Sequence, residues 1–251
     1  MLKRKVVVSQ SGITAGQMQD FWRMVGDGTL DGEVLAYVLT NIGRLRKEAL
    51  AGDFLTPTRA RKIMGKNFFG QEEAEKLFGV KPSDEEQAVL ARIPFTEEEL
   101  KEARDTHILA AVFPLSLLQI KEKAEHLFYK QDWYQDQAFA KEQGKAEWAL
   151  VHKDIVPDSA NETWDNQQTL LQLNEEVPAV RVMAYAVIGH CLATGERLLP
   201  SIYARCKDFS SGGCRVGLGG FDSGGLGVDG WRGGGARSGV GLASARKVQS
   251  S

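Results

Sequence analysis

The chain has 251 residues, 43% hydrophobic and 25% charged, enough to bury a full core as one large domain or two smaller ones. Its net charge of -2, with basic residues dispersed among acidic ones, provides no general attraction to nucleic acid or an anionic membrane. The opening MLKRKVVVSQSG holds only a three-valine apolar run, too short for a signal-peptide core, and no later stretch approaches a membrane span, so a cytoplasmic location is expected.

In chain order, Thr14 and Gln17 make a capping-box pattern ahead of an apolar stripe of Met18, Phe21, Trp22 and Val25. A second stripe, Val34, Leu35, Val38, Leu39 and Ile42, predicts a helical hairpin to about residue 51. Between them, Asp27, Thr29 and Asp31 alternate ahead of Gly32 as in a calcium loop. Val38 occupies the place of the closing bidentate Glu, which excludes that ion. Thr56-Pro57 reads as a helix start, and Gly65 and Gly70 break the segment that follows into short pieces. The polar KPSDEEQ is a candidate boundary, giving a helical module over 1–79, a linker and helix over 80–105, and a second domain over 106–251.

Thr96 with Glu99 is another capping pattern, and HILAAVF, stopped by Pro114, reads as a buried strand. Ser116 should cap an amphipathic helix running through Leu117, Ile120, Ala124, Leu127 and Phe128. AEWALVHKDIV reads as a strand, Asp158 and Ser159 as caps for the helix containing TWDNQQTLLQL, and AVRVMAYAVIGHCLATG as an apolar helix ended by Gly195. The fold class is therefore α+β, with strands near His107–Phe113 and Glu147–Val151 and the tail expected in one sheet.

The tail, CRVGLGGFDSGGLGVDGWRGGGARSGVGLASARK, keeps spaced apolar anchors that a flexible linker lacks. RVGLGGF, GLGVDGW and GVGLASARK read as short strands joined by DSGG and RGGGARSG. Its basic residues, Arg215, Arg232, Arg237, Arg246 and Lys247, are too sparse for a Gly/Arg nucleic-acid segment, which stays an alternative only. From Phe209 to Arg246 there is no Lys, Glu, Gln or Met, and Trp231 is the only Trp. Codons ending in cytosine cannot encode those five residues, so the tail has the composition left when the adenines of AAC codons are randomised.

No catalytic or cofactor pattern stands out. His107, His126, His152 and His190 lack metal-ligand spacing, and no phosphate-binding glycine loop is present. Cys191, Cys206 and Cys214 form no CxxC pair and read as small core residues, with a Cys206 to Cys214 bridge left open. No cofactor or metal is expected. An enzyme site near His190 and Cys191 is the competing reading.

AYAVIGHCLATGERLLP, from Ala184 to Pro200, is similar to the helix and Gly-x-Arg-Leu-Pro of formylglycine-generating-enzyme-type lectin folds, and the tail resembles their terminal strands. Together these segments resemble the variable proteins of diversity-generating retroelements, whose C-terminal segment is rewritten by error-prone copying of a template repeat. The chain departs at the extra Leu199, at SIYARC and at Gly241-Leu242-Ala243, and no segment matches that group's paired active-site cysteines. The resemblance implies a C-type-lectin-like domain over 106–251 with a variable segment at about 209–246. It implies a non-enzymatic binder of a macromolecule, in all expectation a protein.

Under that pattern, strand alternation sends Val216, Leu218, Val228, Val240 and Leu242 inward. The recognition positions are then Ser210, Ser211, Cys214, Gly217, Ser223, Gly227, Asp229, Gly230, Arg232, Gly233, Arg237 and Ser238, with Phe221 and Trp231 as aromatic anchors at the edge.

Overall fold

The computed structural model describes residues 55–248 together with helical positions 19, 22–24 and 26. The chain divides into two compact units, Met1–Asp53 and Phe54–Ser251. Apart from those few helical positions, the expected N-terminal hairpin and the rejected calcium loop lie outside the described residues.

The second unit is mixed α and β. Its elements are α1 (Pro57–Met64), β1 (Phe68–Phe69), α2 (Gln71–Phe78), α3 (Asp84–Leu90), α4 (Glu97–Ala103), β2 (His107–Val112), α5 (Leu117–Lys123), α6 (Ala138–Lys141) and β3 (Glu147–His152). They continue with α7 (Trp164–Thr169), β4 (Glu175–Glu176), α8 (Val180–Thr194), β5 (Tyr203–Phe209), β6 (Arg215–Asp222), β7 (Gly225–Trp231), β8 (Val240–Leu242) and β9 (Ala245–Arg246).

Local signals place most helix starts. Thr56, Ser83, Thr96 and Ser116 each accept a hydrogen bond from the backbone three residues on, and Ser83, Thr96 and Ser116 complete capping boxes with Glu86, Glu99 and Gln119. KPSDEEQ is thus largely a capped helix, not a linker. The boundary expected near residue 79 also falls inside one core. Phe68 and Phe69 pair in parallel with Leu109 and Ala110, and Phe69 and Phe78 pack on Tyr185 with ring centroids 5.9 and 4.8 Å apart. Residues 55–78 carry too many apolar side chains, Met64, Phe68, Phe69 and Phe78 among them, to remain outside it.

α8 is apolar all round and is buried continuously from Val180 to Cys191, as expected of a helix surrounded by protein. It touches β1 and β2 on one side and β5 and β6 on another. These strands belong to two sheets, a five-stranded one ordered β1-β2-β3-β9-β4 and a four-stranded one ordered β7-β6-β5-β8. The single sheet expected from the sequence is therefore corrected: most of the tail builds the second sheet, and only Ala245 and Arg246 reach the first, opposite Val151 and the β4 pair.

Two further expectations change. β5, which has no counterpart in the sequence reading, is the central strand that pairs antiparallel with β6 and parallel with β8. Asp158 and Ser159 do not cap α7; Thr163 does, accepting from Asn166 N at 3.4 Å. Asp158 instead adopts φ 63°, and the Ser159 hydroxyl links Val156 O to Leu242 N at 2.6 and 2.9 Å.

Candidate functional site

Register decides which tail residues share a face. Ala204 lies opposite Leu218, which lies opposite Val228, so these three point to the α8 side. Tyr203, Arg205, Gly217, Gly219, Gly227, Asp229 and Trp231 occupy the alternate positions and share the outer face. Tyr203 and Trp231 meet edge to face there at 5.2 Å. At the Ser210 end, the Arg215 guanidinium lies between the Phe209 and Trp164 rings, 3.5 and 3.8 Å from their centroids, and donates to Lys207 O at 2.6 Å. Burial, then Asp229 and Asp222, push the Tyr203 hydroxyl up.

The segment 232–239 crosses this outer face from edge strand β7 to edge strand β8. It is held from below through its own carbonyl groups. Trp164 N donates to Gly233 O at 2.8 Å, Asn161 N to Arg237 O at 2.9 Å, and Tyr203 N to Gly239 O at 2.9 Å. Between them, Arg205 Nη2 donates to Gly235 O at 2.6 Å. Arg205 is fully buried and has no carboxylate partner among the described residues; its Nη1 reaches Glu162 O and Gln167 Oε1 at 3.2 and 3.1 Å, and its Nε has no hydrogen-bond partner. Burial first, and then the Arg237 charge, lower its pKa.

The same device recurs at edge strand β7. Tyr129 N donates to Leu226 O at 3.0 Å, and Gln131 Nε2 and Trp133 Nε1 both donate to Val228 O, at 2.8 and 2.9 Å. Gln137 Oε1 accepts from Ser211 N at 2.7 Å. Partners outside the tail thus grip its main chain at these points through groups that do not depend on its side chains.

Of the expected recognition positions, Ser211, Ser223, Asp229, Arg232, Arg237 and Ser238 are exposed, and Ser210, Cys214, Gly230, Trp231 and Gly233 are half-buried. Ser210–Cys214 and Gly230–Gly233 lie at one end of the sheet, because Arg215 pairs with Trp231. Ser223 sits in the β6–β7 turn at the other end. Phe221 is corrected from an edge anchor to a core residue, wholly buried, with the Arg197 guanidinium 5.5 Å from its ring.

Gly217 and Gly227 are corrected as well. Both are buried, and a Cβ on Gly217 would lie 2.5 Å from Ala204 O of the neighbouring strand. On Gly227 it would lie 2.5 Å from the Tyr203 hydroxyl, the movable end of a side chain. The five inward positions are all buried, but on opposite faces. Leu242 pairs with Arg205 and so packs against Val156 and Trp164, away from the α8 core. The sequence reading missed Tyr203, Arg205 and Trp164 on this surface; the alternation of Tyr203 and Arg205 with Ala204 and Cys206 was the available signal.

At the competing site, His190 Nε2 meets Glu196 Oε2 at 3.2 Å and the ring is almost fully buried; Lys66 Nζ also bonds Glu196, at 2.8 Å. Burial lowers the His190 pKa and raises the Cys191 thiol. Cys191, Cys206 and Cys214 are free thiols, which removes the Cys206 to Cys214 bridge. Among the described residues no cluster of His, Cys, Asp and Glu is arranged to hold a metal, and no helix is long and apolar enough to cross a membrane. Comparison with protein-family models, with curated proteins and with solved structures gave no match in any of the three.

Proposed function

We propose that this protein binds a macromolecular ligand, a protein, through the outer face and connecting segments of its C-terminal sheet, and that this surface is a diversified one on a C-type-lectin-like scaffold. The observation carrying the reading is the mode of attachment. Successive alternate carbonyls, at Gly233, Gly235, Arg237 and Gly239, are gripped by Trp164, Arg205, Asn161 and Tyr203. A carbonyl is present whatever the side chain, so such a segment can change sequence without losing its anchors.

Composition supports the same reading. Residues 209–246 lack every amino acid that a cytosine-ended codon cannot supply except Trp231, and their exposed positions are mainly Gly, Ser, Asp and Arg around aromatic Trp231, Tyr203 and Phe209. The expected compartment is the cytoplasm, and no catalytic step is assigned.

The test is the DNA beside the gene. The proposal expects a reverse-transcriptase gene and an imperfect repeat of the segment encoding 209–246 that differs from it at adenines. A locus holding neither overturns the diversification reading.

A further inference from the structure

We propose that a second site, at the end of the five-stranded sheet, takes a small zwitterion of the α-amino-acid class, its carboxylate on Arg246 and His107 and its ammonium on Glu175. The cavity there measures about 420 Å³, within the range of small-molecule sites. It is lined by His107 of β2, His152 of β3, Glu175 of β4 and Arg246 of β9, with Val156 and Leu170 as apolar wall. Arg246 ends the 209–246 segment but is held in the first sheet, so the site stands apart from the outer face of the second sheet.

Two independent features point to a ligand. His107 is 3% exposed, and its Nε2 has no hydrogen-bond partner, while Nδ1 meets Thr106 Oγ1 at 2.8 Å. A buried ring nitrogen left unmet is unfavourable unless something else satisfies it. The second feature is a separated pair of charges. Glu175 and Arg246 face each other directly across antiparallel strands, the placement in which opposite charges normally join.

Here they do not form an ion pair among those of the described residues. Gln172 stands between them, its backbone N donating to Glu175 Oε2 at 3.1 Å and its Oε1 accepting from Arg246 Nη1 at 3.3 Å. Each charged group keeps unused hydrogen-bonding capacity, an acceptor on Glu175 and donors on Arg246. An α-amino acid carries a carboxylate and an ammonium joined by one carbon, one group of each sign to meet the two unpaired charges. The side chain of the amino acid would lie toward Val156 and Leu170.

The electrostatics favour the carboxylate end. Burial first, then His152, Arg246 and Lys153, hold His107 down to about 3, so the ring is neutral and an arriving anion offsets the Arg246 and Lys153 charges.

The experiment is a titration of the full chain with individual free amino acids, read by calorimetry and by the ring-proton resonances of His107 and His152. Each binding amino acid is then repeated as its α-amide and as its N-acetyl derivative. We expect at least one amino acid to bind saturably and shift the His107 resonances, with each derivative weakened at least about tenfold. Arg246→Gln and Glu175→Gln should weaken binding likewise. If no free amino acid saturates the site by about 10 mM, or if both derivatives bind as tightly as the parent, the proposal is overturned. Because the derivatives are tested on the unaltered chain, a variant that fails to fold does not affect the outcome.

Discussion

Arg205 concentrates the energetics of the tail at one residue. Its guanidinium is removed from water without a carboxylate, and stands instead on Glu162 O, Gln167 Oε1 and Gly235 O. Arg205→Ala should therefore destabilise the fold by about 2–4 kcal/mol, through lost hydrogen bonds and an unfilled volume, as read from denaturant unfolding. The amides that donate to this segment, those of Asn161, Trp164 and Tyr203, should lose hydrogen-exchange protection first, since Gly235 O is its central tether. An Arg205→Ala chain as stable as its parent contradicts this role. Gly217 sets the opposite kind of constraint. Gly217→Ser should cost about 1–3 kcal/mol because its Cβ meets the Ala204 carbonyl, whereas Ser211→Tyr, at an exposed turn, should stay within about 0.5 kcal/mol.

Among the elements, β8 joins the two halves of the unit. Leu242 O accepts from Val156 N at 2.8 Å, Ser244 O from His152 N at 2.9 Å, and Leu242 packs on Val156 and Trp164. Leu242→Ala should cost about 2–4 kcal/mol, as should Val228→Ala to a lesser degree, with thermal unfolding as the measurement. The elements also divide by how openly the sequence declares them. Caps at Thr56, Thr96 and Ser116 are legible because a cap is satisfied within four residues. β5 is not, because its outward Arg205 is buried by a distant loop and its inward side chains, Ala204 and Cys206, are small. Asp158 misleads for a related reason: it carries the composition of a cap, but the tertiary tie of Ser159 to Leu242 turns the chain through a positive φ there. The tail's inward positions were legible from alternation alone. Which face each side of that alternation met was not, since that depends on β8 lying parallel beside β5.

At the scale of the whole molecule, buried imidazoles set the response to acid. His107 is held at about 3 and His190 is also lowered, burial being the first cause in each. The unfolded chain binds a proton on each ring near the ordinary value of 6.5, and the folded chain binds it only at lower pH. Stability from these groups is therefore fully present above that pH and is lost as pH falls, by up to about 1.4 kcal/mol per pH unit for each ring. Glu97 and Glu196, both near 2, contribute in the same direction only below their ordinary 4.5. Between pH 6.5 and 5 the two histidines lower the unfolding free energy while Asp208, raised by burial, acts in the opposite sense, and His107→Gln should flatten the fall. An unchanged slope in that variant contradicts the assignment.

The central claim is that the tail is gripped by its main chain so that its outward side chains can be exchanged. It is tested most directly by thermal unfolding of one chain in which Ser211, Asp229, Arg232, Arg237 and Ser238 are replaced together by Tyr, Asn or Ser residues not native to each position. Five exposed residues anchored, where they are anchored, through their main chain should leave Tm within about 2–4 °C of the parent, while Val228→Ala alone lowers it further. A combined variant that falls as far as Val228→Ala, or that loses the exchange protection of the Asn161, Trp164 and Tyr203 amides, would contradict the account.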